Sequence, residues 1–396
     1  MKTIVFIIKI IILFNTTLWA QTYHPGETYF GANDFIEYKA GNLPIIISAP
    51  HGGSLEPNNI PDRDCSGCVY VKDAFTEELI RQIYDAIVEE FDCYPHVVIN
   101  RLHRRKLDAN RSIGDAADGN PLAEQAWTDF HHFVDAAKDS TTANYSKGLY
   151  LDLHGHGHTI QRLELGYRIT KSELQLPNSA LNQNSHVEDA SIRNLVGSNL
   201  NKLNLALLIR GEDSFGELYE QENFPAVPSF TQPFPEDDES YFRGGYNTQR
   251  HGSQEGGSID GIQIECNRIG VRDNFDNREA FAAATARSLK KYLTKHYFGE
   301  GFLDNECALI TANNDLTQSN DFGINVFPNP VEEVLNIHLS IQEALSISII
   351  NELGQTVYNH YFDTNTIEVS TSFLSKGVYF LVLKNGSLME VRKILK

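Results

Sequence analysis

Four short segments of this 396-residue chain carry side chains able to do joint chemistry. In the first, Pro50-His51-Gly52-Gly53-Ser54-Leu55-Glu56-Pro57, a histidine sits in a glycine-rich turn with a glutamate close behind. The glycine pair lets the backbone bend so that His51 and Glu56 face one point. The second, Arg101 to Arg111, crowds Arg101, Arg104, Arg105, Lys106 and Arg111 together in a protein of net charge −19. Such a cluster suits an anionic ligand such as a carboxylate. The third is Leu151-Asp152-Leu153-His154-Gly155-His156-Gly157-His158. A histidine directly after an apolar run, with an aspartate before it, suits a metal ligand oriented by a nearby carboxylate. The fourth, Gln263-Ile264-Glu265-Cys266-Asn267, ends a strand-like run with a glutamate.

Two histidines and one carboxylate, here His51, His154 and Glu56, leave the fourth position of a zinc ion open to water, the pattern of catalytic sites. Zinc lowers the pKa of such a water to about 7 and polarises a carbonyl. A carboxylate outside the ligand set can take the water proton and pass it to a leaving nitrogen. Glu265 fits that role, because a ligand carboxylate cannot also serve as base. His/carboxylate sites also accept cobalt or manganese. Taken singly, each residue has an ordinary alternative: His51 a turn residue, Glu56 a surface acid, His156 and His158 solvent-facing, Arg104 to Lys106 a solvated face. Their joint arrival near strand ends argues for one site.

The elements that must position them read as follows. Leu43–Ala49 and Pro95–Asn100 are short β-branched runs that read as strands, Gly148–Leu153 reads as a third strand running into His154, and Gly261–Cys266 alternates like a strand. Ala74–Phe91 places Phe75, Leu79, Ile83, Ile87 and Phe91 at helical spacing. Ala123–Ala137, Asp189–Leu205 and Arg278–Tyr297 are further helix candidates. Strands alternating with helices predict an α/β fold with a mostly parallel mixed sheet flanked by helices. In such sheets chemistry sits at the C-terminal strand ends, where His51, Arg101, His154 and Glu265 fall. Residues 222–258 are rich in Pro, Gly and polar residues and too long for a plain connector, so they are a candidate loop or lid; a disordered insertion is the alternative.

The net charge excludes a dedicated nucleic-acid binder or a protein docked on anionic lipid. A Lys2 n-region, an apolar run from Ile4 to Leu18 and the small Ala20 predict a secretory signal peptide over residues 1–20, in preference to a membrane anchor. No later stretch is apolar enough to span a bilayer. Export implies oxidising conditions. The five cysteines (65, 68, 93, 266 and 307) leave at least one unpaired, and Cys65-x-x-Cys68 suits a local disulfide or two ordinary thiols. Residues 21–310 are then the α/β region that carries the candidate site, and 311–322 a polar linker. Residues 323–396 carry short alternating stretches separated by turn signals, a small antiparallel β-sandwich.

That tail, with Asn325-Val326-Phe327-Pro328-Asn329-Pro330, Gly377-Val378-Tyr379 and a terminal lysine, resembles the C-terminal sorting domain of the type IX secretion system of Bacteroidetes. The resemblance implies passage through the periplasm, contact with the type IX machinery and delivery to the cell surface or beyond. At Pro50-His51-Gly52-Gly53, Arg104 through Arg111, and Asp152-Leu153-His154, the region from 40 to 295 resembles the N-formylglutamate amidohydrolase family, related to zinc carboxypeptidases and poly-γ-glutamate hydrolases. It implies a zinc carboxypeptidase-like phosphorylase/hydrolase fold holding one Zn2+. It implies His51, Glu56 and His154 as zinc ligands, Asn110 and Arg111 as holders of a substrate carboxylate, and Glu265 as general base. Members nearer the amidohydrolase proper take their acidic ligand elsewhere, which leaves Asp73 or Asp64 as the alternative third ligand.

The expectation is a secreted zinc hydrolase cutting an amide bond beside a carboxylate-bearing, glutamyl-like residue, small or polymeric. Arg104 or Arg105 stabilises the oxyanion, and Arg105 is also a candidate substrate contact. The signal peptide disfavours a cytosolic metabolite as substrate. A carboxypeptidase on extracellular peptides and a non-catalytic surface binding module are the rival readings.

Overall fold

The structure, a computed structural model, describes residues 23–302 and, beyond them, 325–331, 333–339, 345–351, 355–362, 364–385 and 388–396. The signal-peptide expectation and the 311–322 linker lie outside the described residues. Eight strands of the first region form one sheet: β1 Thr28–Phe30, β2 Ile36–Lys39, β3 Ile45–Ala49, β4 His96–Asn100, β5 Gly148–Gly155, β6 Leu163–Gly166, β7 Ala226–Val227 and β8 Ile259–Cys266. Their order is β1-β2-β4-β3-β5-β8-β6-β7. The central four, β4-β3-β5-β8, run parallel, whereas β1, β2 and β4 pair antiparallel and β6 pairs antiparallel with β8. The fold is thus the mostly parallel, helix-flanked mixed sheet expected from the alternation of strands and helices.

Burial explains the continuous apolar runs. Every residue of β3, β4 and β8 is buried, because helices cover both faces of the sheet. Ile45, Ile47, Val97, Ile99, Leu149 and Leu151 point to one face, against Leu79, Ile80, Ile83 and Ile87 of the helix Thr76–Phe91 and Phe281 and Leu289 of the helix Phe275–Leu293. Ile46, Val98 and Tyr150 point to the other, against Phe130, Phe133, Val134 and Ala137 of the helix Pro121–Tyr145. That helix starts where it does because the Asn120 side chain accepts from the amides of Leu122 and Ala123, and Pro121 is pre-set for a first turn.

Two sequence expectations change. The helix expected over Asp189–Leu205 is two short ones, Arg193–Ser198 and Leu205–Arg210. Asn199 breaks it: its side chain bonds the Leu195, Val196 and Leu203 carbonyls and accepts from the Leu203 amide, and Asn204 then caps the second helix. The segment 222–258 is built into the fold. It contributes β7 and the helix Tyr246–His251, and Phe224, Phe234 and Tyr241 pack on the core.

The C-terminal region forms a three-stranded sheet, β13-β10-β9, and a four-stranded one, β12-β11-β14-β15, all antiparallel. Their ranges are β9 Asn325–Phe327, β10 Val334–His338, β11 Leu345–Asn351, β12 Thr356–Phe362, β13 Thr366–Ser370, β14 Val378–Asn385 and β15 Leu388–Leu395. Leu335 and Ile337 of one sheet and Ile347, Ile349, Leu381 and Leu383 of the other share one buried cluster. Alternate residues face that cluster, which is the sandwich the alternating pattern predicts.

Candidate metal centre

The register of the parallel strands delivers the candidate residues to one place. β3 pairs Ser48 with Asp152, and β5 pairs His154 with Glu265. His51 follows the end of β3, so the C-terminal ends of adjacent strands carry His51, His154 and Glu265. The turn after β3 needs its glycines. A Cβ on Gly53 would collide with the Arg101 carbonyl, and one on Gly52 with Thr76 and Glu77 at the start of the first long helix.

That helix start brings in Asp73. Its amide donates to the His51 carbonyl (3.0 Å), and its carbonyl accepts from the Thr76 hydroxyl (2.8 Å). The carboxylate then meets both histidines: Asp73 Oδ2 lies 3.2 Å from His154 Nδ1 and 3.4 Å from His51 Nδ1, and the two Nδ1 atoms are 3.1 Å apart. All three residues are buried. Each ring is held from its far side. His51 Nε2 meets Asp108 Oδ1 at 2.6 Å, and His154 Nε2 meets Asp152 Oδ2 at 2.8 Å. These carboxylates accept hydrogen bonds from the Nε2–H groups and leave the two Nδ1 lone pairs facing each other and a carboxylate oxygen. Three such donors repel unless a cation sits among them. Ligand atoms bonded at about 2.0–2.1 Å to a tetrahedral zinc ion lie roughly 3.3 Å apart. The observed 3.1–3.4 Å spacings match that figure, so the residues fit the metal.

Charges respond accordingly. Burial alone would raise the Asp73 carboxyl, but the His51 and His154 rings outweigh it and hold Asp73 well below the usual carboxylate range. Asp108 is likewise held low against its burial, chiefly by His51. Burial would lower His154, yet Asp152 and Asp73 raise it well above an ordinary imidazole. Burial pushes the Glu265 carboxyl up to about 8, with Asp73 adding to the effect and His154 opposing it. Gln263 Nε2 donates to Glu265 Oε1 (2.9 Å), and Gln263 Oε1 accepts from the Gly245 amide (2.8 Å).

A cavity of about 590 Å³ opens over this cluster, lined by His51, Asp73, Arg104, Asn110, Arg111, His154 and Glu265 and by Tyr241 to Gly245 of the 222–258 segment. Arg104 reaches Asp108 (3.1 Å) and Asp73 (3.5 Å). Asn110 Nδ2 lies 3.3 Å from His154 Nε2, and its Oδ1 accepts from the Asn247 amide (2.8 Å). Two expected residues lie elsewhere. Glu56 is exposed and paired with Arg105 (3.7 Å) and His103 (3.9 Å), and Arg105 also reaches Asp62 (3.8 Å). The cause is Leu55, which bridges to the 101–103 strand extension and turns the next residue outward. The carboxylate beside the histidines is therefore that of Asp73; Asp64 is exposed and its amide bonds Asp118. Sequence reasoning missed Asp108 as an orienting group, although it stands inside the Arg104–Arg111 segment. Cys65 and Cys68 form a disulfide, and Cys266 is a free, buried thiol.

Residues 325–396 match the family described as the secretion system C-terminal sorting domain. This region is a type IX sorting domain. It addresses the protein to the cell surface or the surrounding medium. Among the described residues no helix is long and apolar enough to cross a membrane. No curated protein matches the chain in sequence. Among solved structures, the chain is similar to PorZ, a bacterial surface component of the type IX secretion system of Porphyromonas gingivalis, at 17% identity and a TM-score of 0.18; the match covers 20% of this chain and spans only 12% of that one. It is similar to N-formylglutamate amidohydrolase from Ralstonia eutropha JMP134 at 12% identity and a TM-score of 0.39, over 66% of this chain and 97% of that one.

Proposed function

We propose that this protein is a secreted zinc-dependent hydrolase of an amide bond beside a carboxylate-bearing, glutamyl-like residue. The observation that carries the reading is the convergence of two imidazole Nδ1 atoms and one carboxylate oxygen within 3.4 Å, each ring backed by an aspartate. His51, Asp73 and His154 would hold the ion. Bound there, zinc would acidify water and polarise a carbonyl oxygen.

The chain's own groups supply the rest. Glu265, in the same cavity but outside the ligand triad, accepts the proton of the attacking water. Gln263, two residues earlier on the same strand, fixes its orientation. Arg104, tied to Asp73 and Asp108 at the cavity wall, offsets negative charge on the reacting oxygen. Arg111 lines the same cavity, with Nη1 on the Asn110 carbonyl, and offers its remaining donors to a substrate carboxylate. The sorting tail favours extracellular glutamyl polymers or peptides over a cytosolic metabolite as substrate.

The test uses the purified chain and poly-γ-glutamate. Metal content is measured directly, and newly released amino groups are followed with and without a chelator. The expected result is one zinc per chain and release that stops on chelation and returns with zinc. Protein without stoichiometric metal, whose activity ignores chelators, would refute the reading.

A further inference from the structure

His158 is among the polar groups of the cavity that have no part in the steps above. His158 lines the same cavity as the metal cluster, and its side chain is 25% exposed. Its Nδ1 meets Oε1 of Glu164 at 2.7 Å. Glu164 is buried, and its other oxygen, Oε2, accepts from the Phe242 amide at 2.8 Å. Both oxygens of the carboxylate are thus engaged, and as an acceptor it holds an N–H of His158 at Nδ1. Nε2 then has no protein partner among the described residues. The ring is clamped in orientation by Phe242, which stacks on it at 4.7 Å and 12°. Strand pairing sets Glu164 of β6 opposite Glu265 of β8, so this dyad stands beside the water-activating carboxylate.

A carboxylate that orients an imidazole on a cavity wall and leaves its second nitrogen without a protein partner is the arrangement of an acid–base histidine. The adjacent His156 has no such freedom. Its Nε2 bonds the Arg162 carbonyl (2.8 Å) and its Nδ1 accepts the His158 amide (3.1 Å), so both ring nitrogens are spent on main chain. For the same reason His156, His158 and Glu164 are a poor second metal site despite their proximity.

We infer that His158, oriented by Glu164, is the proton donor to the leaving amine. The inference rests on the amide-hydrolase reading above. Water supplies the oxygen of the new C–O bond and gives a proton to Glu265. The C–N bond breaks, its electron pair stays on nitrogen, and that nitrogen takes a proton from His158 Nε2. Glu164 balances the charge of the protonated ring. Solvent then reprotonates His158 and removes the proton from Glu265.

A donor to the leaving group matters in proportion to how badly that group needs a proton. The experiment therefore compares His158→Gln with the wild-type chain, both zinc-loaded, on γ-glutamyl methylamide and γ-glutamyl 4-nitroanilide. Loss of a general acid costs about 10²-fold or more. The expected result is such a loss of kcat on the methylamide and a loss below about 3-fold on the nitroanilide, whose leaving group departs without help. In His158→Ala, added imidazole should restore methylamide hydrolysis. Zinc content and circular dichroism matching the wild type exclude misfolding. Equal losses on both probes, or none, overturn the role of His158 while leaving the hydrolase reading intact. Failure of the wild-type chain to cleave either probe overturns the hydrolase reading and this inference with it.

Discussion

Replacing Glu265 by Gln should stabilise the metal-free protein relative to the wild type, the more so the higher the pH, while slowing catalysis. In the folded, metal-free chain the Glu265 carboxyl ionises near 8, against an ordinary 4.5. Between those values the unfolded chain has released this proton and the folded chain still holds it. The folded state binds more protons, so stability falls as pH rises through this window. The slope is about 1.4 kcal/mol per pH unit, and the cost levels off above pH 8 on the order of 4–5 kcal/mol. The amide introduced by Glu265→Gln carries no charge at any pH, and its carbonyl can still accept from Gln263. The stability gained by the substitution should therefore grow by about 3 kcal/mol between pH 6 and pH 9, or roughly 5–10 °C in Tm for a region of this size. Urea or thermal unfolding of chelator-treated protein at several pH values reads this directly. With zinc bound the difference should shrink, because the cation offsets the buried charge. The same variant, zinc-loaded, should lose about 10²–10⁴ in kcat. Parallel stability curves for variant and wild type from pH 6 to 9 would refute the burial argument.

Asp73→Ala should lower zinc affinity by at least about 10²-fold in a competition titration, since it removes a ligand outright, whereas Glu56→Ala should leave affinity unchanged. Asp108→Asn should weaken zinc binding by about 10–100-fold, measured the same way, because the amide no longer fixes the His51 tautomer. Glu239 pairs with Arg162 (2.8 Å), whose side chain is only 2% exposed. Glu239→Ala strands that guanidinium and should cost about 3 kcal/mol in denaturant unfolding, with the segment around Glu239 and the 241–245 cavity wall the first to gain hydrogen exchange.

The residue types of the centre and their arrival at strand ends were legible in the sequence. His51, His154 and Glu265 each terminate or follow an apolar run, and such runs mark buried parallel strands whose C-terminal ends converge whatever the details of packing. The two modules of the chain, α/β and antiparallel β, were legible for the same reason, since side-chain periodicity is local. Even the tail's sorting function was carried by contiguous residues.

Contacts between distant segments were not legible. Glu56 is near His51 in sequence and looked like its partner, but sequence proximity says nothing about which way a side chain faces once Leu55 bridges to Leu102. Asp73 reaches the histidines only because its amide bonds the His51 carbonyl and the helix from Thr76 begins there. Asp108 behind His51, and Glu164 behind His158, became visible only once the strands and loops were paired. Composition and periodicity are properties of one segment, whereas a ligand set is a property of several brought together. Only the tertiary structure, through strand register and main-chain hydrogen bonds, decided which carboxylate stands beside which histidine.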